Sequence, residues 1–477
     1  MPAEQRETGA QGGAALTCSA TDFALVNTFA RMGPVDVAIV GGGAAGTLVA
    51  VQLLDQAQGP CRIAIVDRTR AIGRGVAYGT AEPWHLLNVA ASGMSAFPDR
   101  PDDFVRWSGA SPDGFAPRAT YGEYLEATLA EARARAATGV SLLAISGEAV
   151  ALSADALAVR IQLADGVEVT ARAAVLALGN FPSAGLSISG GAAYRPSPWE
   201  PGALDGVPSH SDILLLGTGL TMIDAALALD RRGHAGTVHA LSRHGLLPHV
   251  QAEIDAAPSR LRIGATGVRG LLRALRLAAR QEPDWRSVVD ALRPVTQRVW
   301  MRLSDREKRR FLRHVRAFWD VHRHRMAPSV AERIARLRAD GRLEVHAGTL
   351  RSIAAGGSTA IARYRPRGER SEKELRITRI VNCTGPAMYL ADVHHPLLAS
   401  LLESGLAQAD SLGMGLRADA DGAVAGSATG RLFTLGNLRR GELWETTAIP
   451  ELRTQAHAIA ARLLRELTTS AAAEATM

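Results

Sequence analysis

A chain of 477 residues is long for one core and predicts two or three domains. With 47% hydrophobic and 21% charged residues it falls among ordinary soluble α/β proteins, which excludes a disordered or fibrous chain. A net charge of +7 favours anionic ligands but is too mild at this length to imply nucleic acid.

In chain order, residues 1–17 are polar and Gly/Ala-rich, with no apolar core behind a basic stretch, so no signal peptide is expected. Residues 1–32 are read as a flexible tail on a cytoplasmic protein. Cys18, Cys61 and Cys383 share no C-x-x-C spacing, which argues against a redox dithiol and a zinc knuckle. No metal site is expected. Residues 35–40 form an apolar run that predicts a buried strand, followed by Gly41-Gly42-Gly43-Ala44-Ala45-Gly46 and a helix through Leu54. Residues 37–54 are long enough to imitate a membrane span, but the glycines in the middle favour a nucleotide loop. Gly41 suits the tight turn, Gly43 the approach of a pyrophosphate, and Gly46 close helix–strand packing. The next strand, 62–66, ends on Asp67, near the spacing at which a carboxylate takes a ribose hydroxyl.

Residues 73–80, 85–89 and 94–98 mix glycine and small residues with isolated large ones. They either run close to a flat ligand or form a covering loop. A helix is predicted over 121–136, and an antiparallel meander over 141–178 with its turn at Ala164-Asp165-Gly166. Gly179 and Pro182 mark the exit. A second unit follows: strand 213–216, loop Gly217-Thr218-Gly219-Leu220-Thr221-Met222, helix 223–229 and strand 237–241. That strand ends in Ser242-Arg243-His244 in place of an acid, which suits the 2′-phosphate of NADPH or marks an exposed basic turn. Residues 250–342 read as an arginine-rich helical insertion. A second meander spans 359–381, with its turn at Pro366-Arg367-Gly368, and closes on Gly385. Strand 432–435 enters Gly436-Asn437, and Pro450 opens a last helix with Leu452, Ala456, Ile459, Leu463 and Leu467 as its buried stripe.

The expected fold class is α/β, with two Rossmann-like dinucleotide-binding domains, antiparallel meanders and a helical insertion. The expected domains are 33–210, 211–386 and, returning to the first, 387–470; each half repeats the same plan. A helix over 311–326 sets Phe311, Leu312, Val315, Phe318 and Trp319 on one side. His322 falls within that stripe and Arg325 at its edge, whereas Arg313, Arg316, Asp320, Arg323 and His324 point to solvent. Trp319, His322 and Arg325 are therefore candidate substrate-pocket residues. The alternative is a histidine bonded to backbone and an arginine paired with a carboxylate.

Two dinucleotide loops, the first acid-tipped and the second Arg-tipped, resemble the two-dinucleotide-binding-domain flavoproteins. Residues 41–46, 73–80, 85–98, 217–224, 318–328 and 436–451 together resemble a narrower family that contains a bacterial FAD-dependent urate hydroxylase and the aspartate N-oxygenase of diazo-compound biosynthesis. The resemblance implies FAD at the first loop, held by Gly41, Gly43, Ala44, Ala45, Gly46, Asp67 and Arg68. Gly75, Ala77, Tyr78, His85, Asn88, Met94, Gly436 and Asn437 would join them. It implies NADPH at the second, held by Gly217, Gly219, Leu220, Thr221, Ser242, Arg243 and Gly385. The implied activity is an FAD/NADPH monooxygenase that activates O2 as a flavin hydroperoxide and hydroxylates a small electron-rich metabolite, with an anion as one candidate. Amino-acid N-oxygenation, an oxidoreductase that uses no oxygen, and a flavin-binding sensor stay open. Neither a membrane nor a nucleic-acid partner is expected.

Overall fold

In the computed structural model the described residues are 33–474, except 70, 184–190, 253–266, 357–358 and 427–429. The tail expected at 1–32 lies outside them, as does 253–266 of the expected insertion. Strands β1 (Val35–Val40) and β2 (Cys61–Asp67) run parallel, with Val37, Ala38 and Ile39 fully buried. Such continuous apolar runs belong to strands covered on both faces. The helix Ala44–Gln56 connects them and packs on the last helix, Ile449–Glu474. Pro450 stands in the first turn of that last helix.

Strand β3 (Val140–Ser146) pairs parallel with β2 and is the outer strand of the first sheet. Its sequence reads as the start of the meander because an edge strand with one covered face alternates as a hairpin strand does. The meander itself is β4 (Ala149–Ala154), β5 (Val159–Leu163) and β6 (Glu168–Leu176). β6 pairs antiparallel with β5 at its start and parallel with β1 towards its end. β14 (Leu432–Thr434) pairs parallel with that same end, so the C-terminal segment returns to the first sheet.

The second sheet repeats the plan. β7 (Tyr194–Arg195) is a short edge. β8 (Ile213–Leu216), β9 (Val238–Ser242), β10 (Leu343–Gly356) and β13 (Arg379–Asn382) form the parallel core. β11 (Thr359–Pro366) and β12 (Lys373–Ile377) complete the order β12-β11-β10-β9-β8-β13-β7. Residues 343–347 of β10 run parallel to β9, and 348–356 run antiparallel to β11.

Between β9 and β10 lie the helices Val268–Gln281, Trp285–Leu292, Thr296–Arg302, Asp305–His314, Arg316–Arg323 and Pro328–Ala339. The last of these buries Ile334 and Leu337 in the core of the second sheet and is its crossover helix. The expected helix over 311–326 is two helices that break at Val315, whose φ of −116° closes one and opens the other. The helical phase therefore does not carry across Val315. Phe318, placed on the apolar stripe by periodicity, is 44% exposed. Among the described residues no helix is long and apolar enough to cross a membrane.

Candidate active site

The two glycine loops stand at the carboxyl ends of their parallel strands and are built alike. Gly41 has φ +109° and Gly217 φ +111°, values an L side chain rarely adopts. A Cβ on Gly41 would strike the carbonyl of Ala177, and one on Gly217 the carbonyl of Cys383. Matching hydrogen bonds fix both turns. Gly41 N–H donates to Val66 O and Gly217 N–H to Leu241 O, each at 2.8 Å. The internal repeat read from the sequence is thus repeated at the level of single backbone atoms.

The first helix, Ala44–Gln56, has no side-chain cap and no acid in its first turn, so its leading N–H groups and positive dipole end remain available. A Cβ on Gly46 would collide with the Gly41 carbonyl, which brings this helix hard against its strand. Asp67 sits at the tip of β2. Its Oδ2 accepts the Gly42 N–H at 2.6 Å, and its Oδ1 accepts the N–H and hydroxyl of Thr69, each at 2.7 Å. That leaves Oδ2 with one acceptor position for a ligand hydroxyl. The segment 73–80 lies against the loop: Gly73 N–H donates to Gly42 O at 2.8 Å, and a Cβ on Gly43 would meet the Cα of Gly75 at 3.6 Å. The bidentate Arg74–Glu126 pair, at 2.7 and 2.8 Å, anchors it.

At the second loop the helix Leu220–Arg231 is likewise uncapped by any side chain, and a Cβ on Gly219 would meet nothing within 4 Å. Met222, standing where the first loop has Gly46, is fully buried, and its N–H bonds to Gly219 in a tightened first turn. Ser242 Oγ is engaged with Thr218 Oγ1 at 2.8 Å and with Gly245 N–H at 3.0 Å. Arg243 is exposed and makes no side-chain hydrogen bond or ion pair with a described residue. His244 adds no charge beside it, because burial, then Arg367 and Arg243, hold its imidazole below the usual range.

The C-terminal segment supplies what periodicity missed. After Gly436 (φ +70°) the chain makes the short helix Arg440–Leu443 and then Trp444, the one non-glycine at positive φ among the described residues (φ +65°, ψ −77°). Such a backbone costs about 1–3 kcal/mol and persists only where its surroundings hold it. Trp300 stacks on the Trp444 ring at 5.0 Å, and Phe311 meets it edge-on at 5.2 Å. Glu445 then accepts Trp319 Nε1 at 3.0 Å and Arg323 Nε at 2.9 Å. Beside it, the half-buried Arg440 guanidinium makes no hydrogen bond or ion pair with a described residue, and burial and then Arg316 push it down to about 10. Asp320, paired with Arg316 at 3.3 Å, is raised by burial. His324 is exposed, and its backbone N–H donates to the Asp320 carbonyl at 2.8 Å. Arg316 and Asp320 thus pair with each other and Arg323 with Glu445, so these three are not the free solvated face that an unbroken helix implies, whereas Arg313 and His324 are exposed as expected.

Of the expected pocket residues, only Trp319 reaches this segment. His322 Nδ1 bonds the Phe318 carbonyl at 2.7 Å, and its ring packs on His249 and Trp285. Arg325 is 3% exposed and paired with Asp290. Both follow the bland alternative. His85, expected at the first cofactor, is buried and points to the second unit, with Nδ1 on Thr80 Oγ1 at 2.8 Å and Nε2 on the Asp224 carbonyl at 3.2 Å. Arg118 reaches the same Asp224 at 2.8 Å. Tyr78 packs on Tyr121 at 4.7 Å, Met94 is buried, Asn88 is half-buried, and Arg68 and Ala77 are exposed. Asn437 Oδ1 and Tyr121 Oη are buried without a partner, two polar atoms that a bound group would satisfy. Gly385 has φ +86° and open space beside it.

Residues 38–181 match a protein-family model described as FAD-NAD(P)-binding, so this stretch is an FAD/NAD(P)-binding domain. No curated protein matches the chain. Among solved structures, the ornithine N-hydroxylase of Kutzneria sp. 744 is similar at a TM-score of 0.63 and 16% identity, over 91% of this chain and 100% of that one. The L-lysine 6-monooxygenase of Pseudomonas syringae has TM-score 0.63 and 16% identity, covering 90% and 99%. The cadaverine monooxygenase of Erwinia amylovora has TM-score 0.63 and 13% identity, covering 91% and 95%. At these identities the likeness establishes a shared fold.

Proposed function

We propose that the chain is an FAD-dependent, NADPH-reduced monooxygenase that oxidises the nitrogen of a small zwitterionic amine. The observation that carries the cofactor assignment is the repeated loop: two uncapped helix N-termini, one beside the carboxylate of Asp67 and one beside the unpartnered Arg243. FAD bound at the first loop would supply the redox and oxygen chemistry, with NADPH at the second as reductant. The protein's own part is to hold and orient. Helix N–H groups face the pyrophosphates, Asp67 accepts a ribose hydroxyl, and Asn437 and Tyr121 offer their orphaned polar atoms to the first cofactor.

The substrate class rests on Arg440 and Asp320. The Arg440 guanidinium, with no hydrogen bond or ion pair to a described residue, and the Asp320 carboxylate, shared with Arg316, can hold the two charged ends of an amino acid. The similar structures are named for N-hydroxylation of ornithine and for monooxygenases of lysine and cadaverine, which agrees in kind. Carbon hydroxylation of a purine anion such as urate is the second reading, for which Arg440 alone would serve. The test is NADPH oxidation and O2 uptake by the purified protein against panels of amino acids, diamines and purines, with hydroxylamine and peroxide assayed as products. Amino-acid stimulation with hydroxylamine formed supports the proposal. Stimulation by purines alone selects the second reading, and NADPH oxidation with no oxygen uptake overturns both.

A further inference from the structure

We propose that His239, Glu344 and His346 form a binding site for one divalent transition-metal ion, zinc foremost, that clips β9 to β10. Strand register builds it. Glu344 stands opposite His239 in the parallel pair, and His346 follows two residues on, so all three side chains leave the same face of the sheet. That face buries Leu214 and Leu241 nearby. His239 Nδ1 and His346 Nε2 are 3.0 Å apart, and Glu344 Oε2 is 3.5 Å from the first and 3.6 Å from the second. Ligand atoms at about 2.1 Å from a tetrahedral zinc stand about 3.4 Å from one another. The triangle already has that size, with the half-exposed Glu344 side open for water as the fourth ligand.

The outer contacts point the same way. A ligating imidazole turns its second nitrogen to an oxygen that fixes its tautomer. His346 Nδ1 faces Tyr364 Oη at 3.2 Å, and His239 Nε2 faces Asp212 Oδ2 at 3.8 Å. With each imidazole's single proton on that outer nitrogen, three lone-pair atoms converge on one point, which a cation resolves. A hydrogen bond between the two imidazoles accounts for two of the three and leaves the Glu344 carboxylate aimed at the same gap. The charged groups around it are Asp212, Glu344 and Glu369 against Lys373, an excess of acid. His239 and Glu344 stand second in their strands, at the end opposite the glycine loop, so the site's task is structural.

Chelator-stripped full-length protein titrated with ZnCl2 should bind one ion per chain and gain thermal stability, and CoCl2 should give the intense visible bands of tetrahedral cobalt. His239→Ala and His346→Ala should each abolish the one-to-one event. Tyr364→Phe, which keeps the ring and the fold, should weaken it about ten- to a hundredfold. His322→Ala, which alters the separate His249–His322 ring pair, should leave it intact. Absence of a stoichiometric event in the stripped wild type, or its survival in the His239 and His346 variants, overturns the assignment. Because the readouts are binding and stability, the result is independent of the proposed enzymatic activity.

Discussion

Replacing Arg243 by alanine tests the second loop most directly. Arg243 is exposed just past the end of β9 and has no acidic partner among the described residues, so its removal orphans no buried charge there and leaves folding almost untouched. Everything it contributes should therefore appear in binding. A charge-assisted contact to a phosphate is worth about 1.5–3 kcal/mol, or roughly ten- to a hundredfold in affinity. Solvent exposure places Arg243 towards the low end of that range, near tenfold. Ser242 is held by Thr218 and Gly245, and His244 is kept neutral by its surroundings, so neither can replace the lost charge. The assay is initial-rate kinetics with NADPH and NADH on FAD-loaded protein at low salt and at high salt. kcat/KM for NADPH should fall about tenfold, that for NADH should change little, and the preference should shrink with salt in the wild type only. An equal loss with both coenzymes would refute the assignment of Arg243 to the 2′-phosphate.

Gly46→Ala should destabilise the protein by about 1–3 kcal/mol and lower FAD occupancy, since its Cβ meets the Gly41 carbonyl and Ile39. Gly219→Ala, with open space around its Cβ, should leave the urea midpoint unchanged while raising KM for NADPH; equal destabilisation of the two variants would show that the loops differ from this description. His85 is held below its usual range chiefly by burial, so its unfolded imidazole takes up a proton first as pH falls. Its contribution is complete above about pH 6.5 and is lost progressively below it, at about 1.4 kcal/mol per unit of difference between the two states. Urea midpoints at pH 7.5 and 5.5 should accordingly converge in His85→Gln relative to the wild type, and an identical acid loss in both proteins would remove His85 from this role.

The glycine loops were legible because their requirements are local: Gly41, Gly46 and Gly217 answer to neighbours within a turn or across one strand. β3 was misplaced because one covered face gives the same alternation in a parallel edge strand and in a meander. The pocket reading around His322 and Arg325 failed at Val315, where the backbone turns out of register and no glycine or proline announces it. What meets Trp319 instead, Glu445 in the segment with Arg440 and Trp444, lies more than a hundred residues further on, and only tertiary packing brings it there. His239 and His346 meet for a similar reason: they lie 107 residues apart, and sheet register joins them.

The dual strands have a mechanical consequence. β10 passes from β9 to β11 between Ala347 and Gly348 without an intervening loop, and β6 lies between β1 and β5, with Ala171 paired to both. A hinge needs residues free to change φ and ψ, and hydrogen bonding on both sides of the exchange withholds that freedom. Each meander is therefore a rigid extension of its own sheet, a stiff plank that cannot flap independently. The chain crosses between the sheets just after Gly179 and again after Gly385, at φ +67° and +86°, with open space where a side chain would stand. A side chain at either position would strain the backbone although it would meet no neighbour, so the cost of a substitution there falls on the crossing and not on the packing of a sheet.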